Sequence, residues 1–434
     1  MKFANFLAGT LALASVGGCG AQGGISGAGA PAPNAPLETQ PVAASANDKK
    51  TGAAPAKITR SQGVPNGTQS GGLTVPRGFE VNLFATGLEM PRRLVIAPKS
   101  TPENWDVFVS ESRANRVSVL RQKNGSGKAD EKFAYSEKLN QPYGLAFHPG
   151  GFLYVGNTDS VVRLPYNDGA TSTDAQPQKI TGLTRGGYNQ HWTRNVIFSR
   201  DAKQLYVTVG SSCNTCEEDD PQRAAISVMN PDGSARRVFA NGLRNPVGVA
   251  WRPGTNELWT VVNERDHLGD DLAPDYLTHV ADKAFYGWPY AYTDIDGTIR
   301  PDPNWGDKNP QKARTTVAAT VPVQAHSAAL GVAFYPNAIV QKKKFLTFPT
   351  DYSGDAFLAF HGSWNHSTKT GYKIVRVDFQ NGKAVSISDF VTGFLKDGAV
   401  SGRPVDVAIA PDGSLLFSDD DGGKIWRVSY RGAK

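Results

Sequence analysis

Pro142-Tyr-Gly-Leu-Ala-Phe-His-Pro-Gly-Gly-Phe-Leu-Tyr-Val155 carries the pattern that decides the fold. A short apolar strand ends at a Pro-Gly-Gly turn, and a second apolar strand follows at once, as in a tight antiparallel hairpin. The phrase returns as Arg194-Asn-Val-Ile-Phe-Ser-Arg-Asp-Ala-Lys-Gln-Leu-Tyr-Val207, as Pro246-Val-Gly-Val-Ala-Trp-Arg-Pro-Gly-Thr-Asn-Glu-Leu-Trp259 and as Arg403-Pro-Val-Asp-Val-Ala-Ile-Ala-Pro-Asp-Gly-Ser-Leu-Leu-Phe417. Looser copies start at Pro91 and at Gly331. The first intervals are close to fifty residues, room for four strands with their turns, and the later ones must hold inserted loops. Six such copies without helical periodicity predict an all-β, six-bladed β-propeller over residues 77–434. A β-sandwich would also bury these strands, but it does not account for six copies at this spacing. Residues 79–85, ahead of the first copy, are expected to complete the last blade and close the ring, which hides its edges.

The chain outside the repeat is of another kind. Met1 and Lys2 precede an apolar run over residues 3–16, and Gly17-Gly18-Cys19 follows. That is a signal peptide over 1–18 with a lipid attachment site at Cys19. The run is shorter than the ~20 residues a bilayer-spanning helix needs, so membrane contact is expected through a lipid anchor only. The expected location is the periplasm or cell surface. Residues 19–76 are rich in Ala, Gly, Pro, Ser, Gln and Asn and read as a flexible, lipid-anchored tether. With Cys19 assigned, Cys213 and Cys216 remain, and in an oxidising compartment they are expected to pair. Metal and redox readings of this CxxC have less behind them: no second Cys/His pair lies nearby in sequence, and no βαβ pattern surrounds it. The net charge of +6 contains no Lys/Arg block able to track a phosphate backbone, which argues against nucleic acid.

Polar residues collect just before the first strand of each copy and just after the second. Before lie Asn140, Gln141, residues 189–195, residues 242–245, His326 and Arg403. After lie Asn157, residues 210–212, 263–267, 361–366 and 419–421. If the ring closes, these His, Arg, Asn, Gln and carboxylate side chains converge at one mouth, and such a set suits a polar, anionic, planar ligand with a metal. Glu264, Asp266, Asp270 and Asp271 form an oxygen-rich stretch suited to a hard cation such as Ca2+, without the spacing of an EF-hand. Plainer roles exist for each: a turn for His191, loop-fixing hydrogen bonds for Arg244, Asn245 and Arg403, a solvated face for the acidic stretch.

At these same residues the sequence resembles the glucose/sorbosone dehydrogenases that use pyrroloquinoline quinone. The likeness runs from about Gly78 to Tyr430. It is carried by His191, Gly242-Leu-Arg-Asn-Pro-Val-Gly248, the acidic loop 263–271 followed by Tyr286-Gly-Trp-Pro289, and Gly402-Arg-Pro-Val-Asp406. The resemblance implies oxidation of an aldose, a sorbosone-like aldehyde or a related sugar, with His191 as catalytic base and Arg403 beside the reacting quinone. It implies that Gln141, Arg244, Asn245, Lys369 and Arg403 hold the quinone. The loop from Glu264 to His267, with Asp266 within it, would offer carbonyl oxygens to the cofactor's Ca2+ ion, and Asp271 would belong to that or another calcium site. The electron acceptor is unassigned. The family's second Arg, two positions past Arg403, is here Val405. Two other readings keep part of the pattern: a metal-dependent lactonase on the same fold, and a non-enzymatic propeller that binds carbohydrate or protein.

Overall fold

The computed structural model describes residues 58–185, 191–337 and 347–432. Each copy of the repeated phrase supplies the two inner strands of one sheet. Blade 1 is Pro91–Ile96, Trp105–Glu111, Arg116–Gln122 and Glu131–Ser136; blade 2 is Gly144–His148, Phe152–Asn157, Ser160–Pro165 and Gln178–Gly182. Blade 3 is Val196–Phe198, Leu205–Val209, Ala225–Met229 and Arg237–Asn241; blade 4 is Asn245–Trp251, Leu258–Asn263, Tyr276–His279 and Val321–Pro322. Blade 5 is Ala329–Phe334, Ala356–Phe360, Lys373–Gln380 and Lys383–Val391. Blade 6 takes Pro404–Ile409, Leu415–Asp419 and Lys424–Tyr430 from the end of the chain and Phe79–Ala85 from its beginning. Innermost strands of successive blades touch all the way round, blade 6 against blade 1 included. The protein is a six-bladed β-propeller.

Period-2 alternation explains the packing. Buried Val, Leu, Phe and Tyr side chains on each blade face their neighbours in clusters that span two sheets, as Phe108, Tyr135, Leu145 and Leu153 do between blades 1 and 2. The innermost strands run close together near the axis, and Gly331 shows why that position lacks a side chain. A Cβ there would stand 2.6 Å from Cα of Asp406 and from the Val405 carbonyl oxygen. Tyr143, Val247, Leu330 and Val405, one from each of four blades, form an apolar cluster near the axis. Filling that space with Val405 stabilises the ring by ~1.5–3 kcal/mol. It also gives Val405 a packing role where the resembled enzymes carry a cation.

The tether expected over 19–76 needs correction at its end. Thr59–Ser61 adds in parallel to the outer edge of blade 5, and Gly67–Ser70 and Leu73–Pro76 form a hairpin. Leu73 and Val75 are buried against Phe390 and Phe394, and Thr74 exchanges backbone hydrogen bonds of 2.8 and 3.0 Å with Thr392. Two alternating apolar residues beyond a Gly-Gly turn suffice when a blade face is already waiting for them, and a composition averaged over the whole segment conceals them. The signal peptide and Cys19 lie outside the described residues.

Candidate active site

One cavity at the mouth of the channel is lined by His191, Arg244, Asn245, Glu264, Asp266 and Arg403, all expected from the sequence. Arg92, Asp275, His326, His361 and Asp420 join them, with Trp192 and Trp364. The loops before the inner strands and after the second strands bring these groups together.

His191 is 3 % exposed. Its Nδ1 lies 3.1 Å from the Ser211 carbonyl oxygen and 2.9 Å from Ser211 Oγ. The Ser211 hydroxyl already donates to the Cys213 carbonyl at 2.6 Å, so its oxygen can only accept. Nδ1 therefore carries the proton and Nε2 the lone pair. Burial first, and the Arg244 guanidinium second, push the imidazole well below its ordinary value, so it is neutral at pH 7. Gly210 permits this arrangement: a Cβ there would be 2.3 Å from Asn245 Oδ1 and 2.9 Å from His191 Cβ.

Arg244 is buried and fixed on several sides. It donates to the Glu264 carbonyl at 2.7 Å, to Asp266 Oδ2 at 2.8 Å and to Asn214 Oδ1 at 2.9 Å. The acidic loop thus turns its backbone toward protein donors, since the Asp266 carbonyl also accepts from Asn214 Nδ2 at 3.1 Å. Its reserve of oxygen is in side chains. Glu264 Oε1 and Asn245 Oδ1 are buried with no hydrogen-bond partner among the described residues. Burial raises the Glu264 carboxyl to about 8 and Asp275 to about 6. Asp266 runs the other way: burial would raise it, but His326 and Arg244 hold it below the usual range.

The opposite wall belongs to blades 5, 6 and 1. Arg403 donates to the carbonyls of His361 at 3.2 Å and Gly362 at 3.1 Å, and its guanidinium lies 5.4 Å from the Tyr372 ring. His361 Nε2 lies 2.9 Å from Asp420 Oδ1, while Arg92 pairs with Asp420 Oδ2. Arg92 also faces the rings of Tyr143 at 5.5 Å and Trp192 at 5.3 Å, and its Nε has no partner among the described residues.

Four expected residues lie outside the lining. Gln141 is half-buried at positive φ, and its backbone N–H donates to Asn115 Oδ1. Lys369 is exposed and donates to the Gly398 carbonyl at 2.9 Å. His267 is exposed, its ring edge-on to Trp364 at 5.9 Å, and Asp271 is exposed at a separate surface recess. The reason is common to three of them: Lys369, His267 and Asp271 sit on long insertions, where strand spacing no longer fixes direction. Cys213 and Cys216 form a disulfide. The sequence reading missed Arg92 and Asp275. Arg92 was within reach, because it takes the position in its copy that Tyr143, Val247 and Val405 take in theirs. Asp275, set far along an insertion, gave no such signal.

A family model described as TrAA12-like matches residues 73–431. A pyrroloquinoline quinone-dependent sugar dehydrogenase of Hypocrea jecorina is 25 % identical over 412 residues, covering 80 % of this chain and 87 % of that protein. Among solved structures, the calcium structure of a Trichoderma reesei protein of carbohydrate-active enzyme family AA12 superposes with TM-score 0.69 at 22 % identity, covering 85 % of this chain and all of the other. The holo form of the pyranose dehydrogenase PQQ domain from Coprinopsis cinerea gives TM-score 0.68 at 20 % identity, over 86 % of this chain and 100 % of that domain. The chain belongs to the TrAA12-like family of pyrroloquinoline quinone-dependent sugar dehydrogenases.

Proposed function

We propose that this protein oxidises a sugar or a sugar-like aldehyde, with pyrroloquinoline quinone as the hydride acceptor and Ca2+ as its electrostatic support. The observation that carries the reading is the convergence of His191, Arg244 and Arg403, from separate blades, on one cavity. The donor set fits the quinone's carboxylates: Arg403 has N–H groups beyond those donated to His361 and Gly362 for charge-assisted hydrogen bonds, while Arg244, whose N–H groups are engaged by Asn214, Asn263, Glu264 and Asp266, contributes its charge. Arg92, with a buried Nε that lacks a partner among the described residues, adds a third guanidinium where Val405 has none. The unpartnered Glu264 Oε1 and Asn245 Oδ1 fit a hard cation, and Ca2+ in the Trichoderma reesei relative supports that choice.

The quinone, when bound, supplies the two-electron oxidant, and the protein supplies position, field and proton transfer. His191 Nε2 is the base that accepts the hydroxyl proton of the substrate, and its neutral state suits that task. Arg403 and Arg244 stabilise negative charge that builds on oxygen as the reaction proceeds. Trp364, 52 % exposed at the rim of the same cavity, offers a face on which a sugar ring can stack. Export and lipid anchoring through Cys19 belong to the same proposal. The Cys213–Cys216 disulfide supports them, since such bonds persist in oxidising compartments.

The test is reconstitution with the quinone and Ca2+, followed by a panel of aldoses and a dye acceptor. Dye reduction that depends on quinone, metal and sugar is the expected result. A protein that leaves the quinone spectrum unchanged at saturating concentration ends the reading.

A further inference from the structure

The turn that follows the second strand of blade 3 contains the disulfide, and it contacts both halves of the catalytic machinery. Between the two cysteines stands Asn214. Its side-chain amide copies the pairing of a β-strand: Oδ1 accepts from the Asp266 backbone N–H at 2.9 Å, and Nδ2 donates to the Asp266 carbonyl at 3.1 Å. The same Oδ1 accepts from Arg244 Nη2 at 2.9 Å. The Asn214 carbonyl accepts from Arg244 Nε at 3.1 Å and from Trp288 Nε1 at 3.0 Å. One residue before, the Cys213 carbonyl accepts from the Ser211 hydroxyl, so the hydroxyl oxygen joins the Ser211 carbonyl as a second acceptor for the proton on His191 Nδ1. Beyond Cys216 the turn is held again, by Ser212 N–H donating to Glu218 Oε1 at 2.7 Å and by Tyr290 donating to Glu217.

We propose that the disulfide-closed turn 211–216 positions two separate elements of the site, Arg244 with the Asp266 loop through Asn214, and the His191 tautomer through Cys213 and Ser211. Two hydrogen bonds from one guanidinium to one residue require Asn214 to hold both its backbone and its side chain in place. A turn of four residues with no regular secondary structure does not do that alone, because each free residue loses backbone entropy when it is ordered. The Cys213–Cys216 bond restricts the freedom of that turn before any ligand arrives. Asn214 and Ser211 are positioning residues: neither is among the groups lining the cavity, and each acts through one that is.

The proposal rests on the reading of the site given above, so its test includes a measurement that needs no quinone. Two readouts are followed in each protein: the ring 15N shifts of His191 in the quinone-free state, and the quinone dissociation constant by absorbance titration. Ser211→Ala, which leaves only the backbone carbonyl of residue 211 on Nδ1, should shift the wild-type His191 15N pattern while the dissociation constant stays within about twofold. Asn214→Ala should keep that pattern while the constant rises about tenfold. Opening the disulfide should move both, whether by the Cys213→Ser/Cys216→Ser pair or, if that variant fails to fold, by a mild phosphine reductant on the wild-type protein. This separation is the decisive sign, since a turn that merely stabilised the fold would shift both readouts together with the melting temperature. Unchanged readouts in both single variants, or joint movement in both, would overturn the proposal. A wild-type protein that does not bind the quinone would instead remove the functional reading, and the His191 pattern in Ser211→Ala and the reduced protein would still decide the tautomer arm.

Discussion

Two histidines face one cavity from opposite walls, and their surroundings differ. His191 on the blade 3 side meets a neutral partner, Ser211, while His361 on the blade 5 side meets a carboxylate, Asp420. Burial lowers both imidazoles. Asp420 does not raise His361 above its ordinary value, because burial outweighs it and the nearby charges of Arg403 and Arg92 add to the lowering. Asp420 itself is held well below the usual carboxylate range: burial opposes this, and His361 and Arg92 prevail. The lesson is that a buried His–Asp contact does not by itself make a strong base. The Asp420 side ties Arg92 and His361 into place, and the Ser211 side leaves a neutral imidazole with a defined lone pair.

The largest effect is expected at Asp420→Ala, which strips a buried guanidinium of its anion and should cost about 3–5 kcal/mol of stability in urea unfolding. A cost below about 1 kcal/mol would mean that the pair holds nothing. His191→Ala should lower turnover at least about a hundredfold and leave quinone affinity near its starting value, whereas His361→Ala should cost less than about tenfold. Equal losses in the two variants would erase the distinction between the walls. Arg403→Ala should weaken quinone binding about tenfold, and an unchanged titration would remove Arg403 from the cofactor site.

The smallest effect concerns pH. His191 is depressed by burial and by Arg244, so it stays neutral as the solution falls through 6.5. The acidic limb of kcat/KM should therefore lie below pH 6.5, with activity at pH 6 within about twofold of that at pH 7. A limb centred at or above 6.5 would show an imidazole in ordinary contact with water. The stability sign agrees. An unfolded chain takes up a proton near pH 6.5 that the folded His191 refuses, so this residue's contribution to stability falls as the pH drops below that value.

Much of the fold was legible, and for a specific reason. A hairpin that recurs at a fixed spacing constrains topology as well as secondary structure, so even the closing strand Phe79–Ala85 could be placed from the letters alone. The site was legible where it hangs on that repeat. His191, Arg244, Asn245 and Arg403 stand next to inner strands, and the structure gathers them. His267, Asp271 and Lys369 stand on insertions, whose course depends on contacts between blades. Arg92 is hidden because it lies inside the strand Pro91–Ile96, where alternation alone does not mark a residue that faces the axis. Asn214 was invisible for another cause: its partners, Arg244 and Asp266, are thirty and fifty-two residues away.

Blade 6 couples the first long strand of the body to the last, Phe79 facing Tyr430 and Ala85 facing Ile425. On a chain made from its amino end, Phe79, Val81 and Phe84 emerge some 340 residues before the partner that covers them. Through the synthesis of blades 1 to 5 that strand must wait without its neighbour, and the circle stays open until Lys424–Tyr430 is made. Closure of this molecule should therefore be a late, concerted event with a high contact order, and loss of the strand Lys424–Tyr430 should cost the whole ring, not one blade.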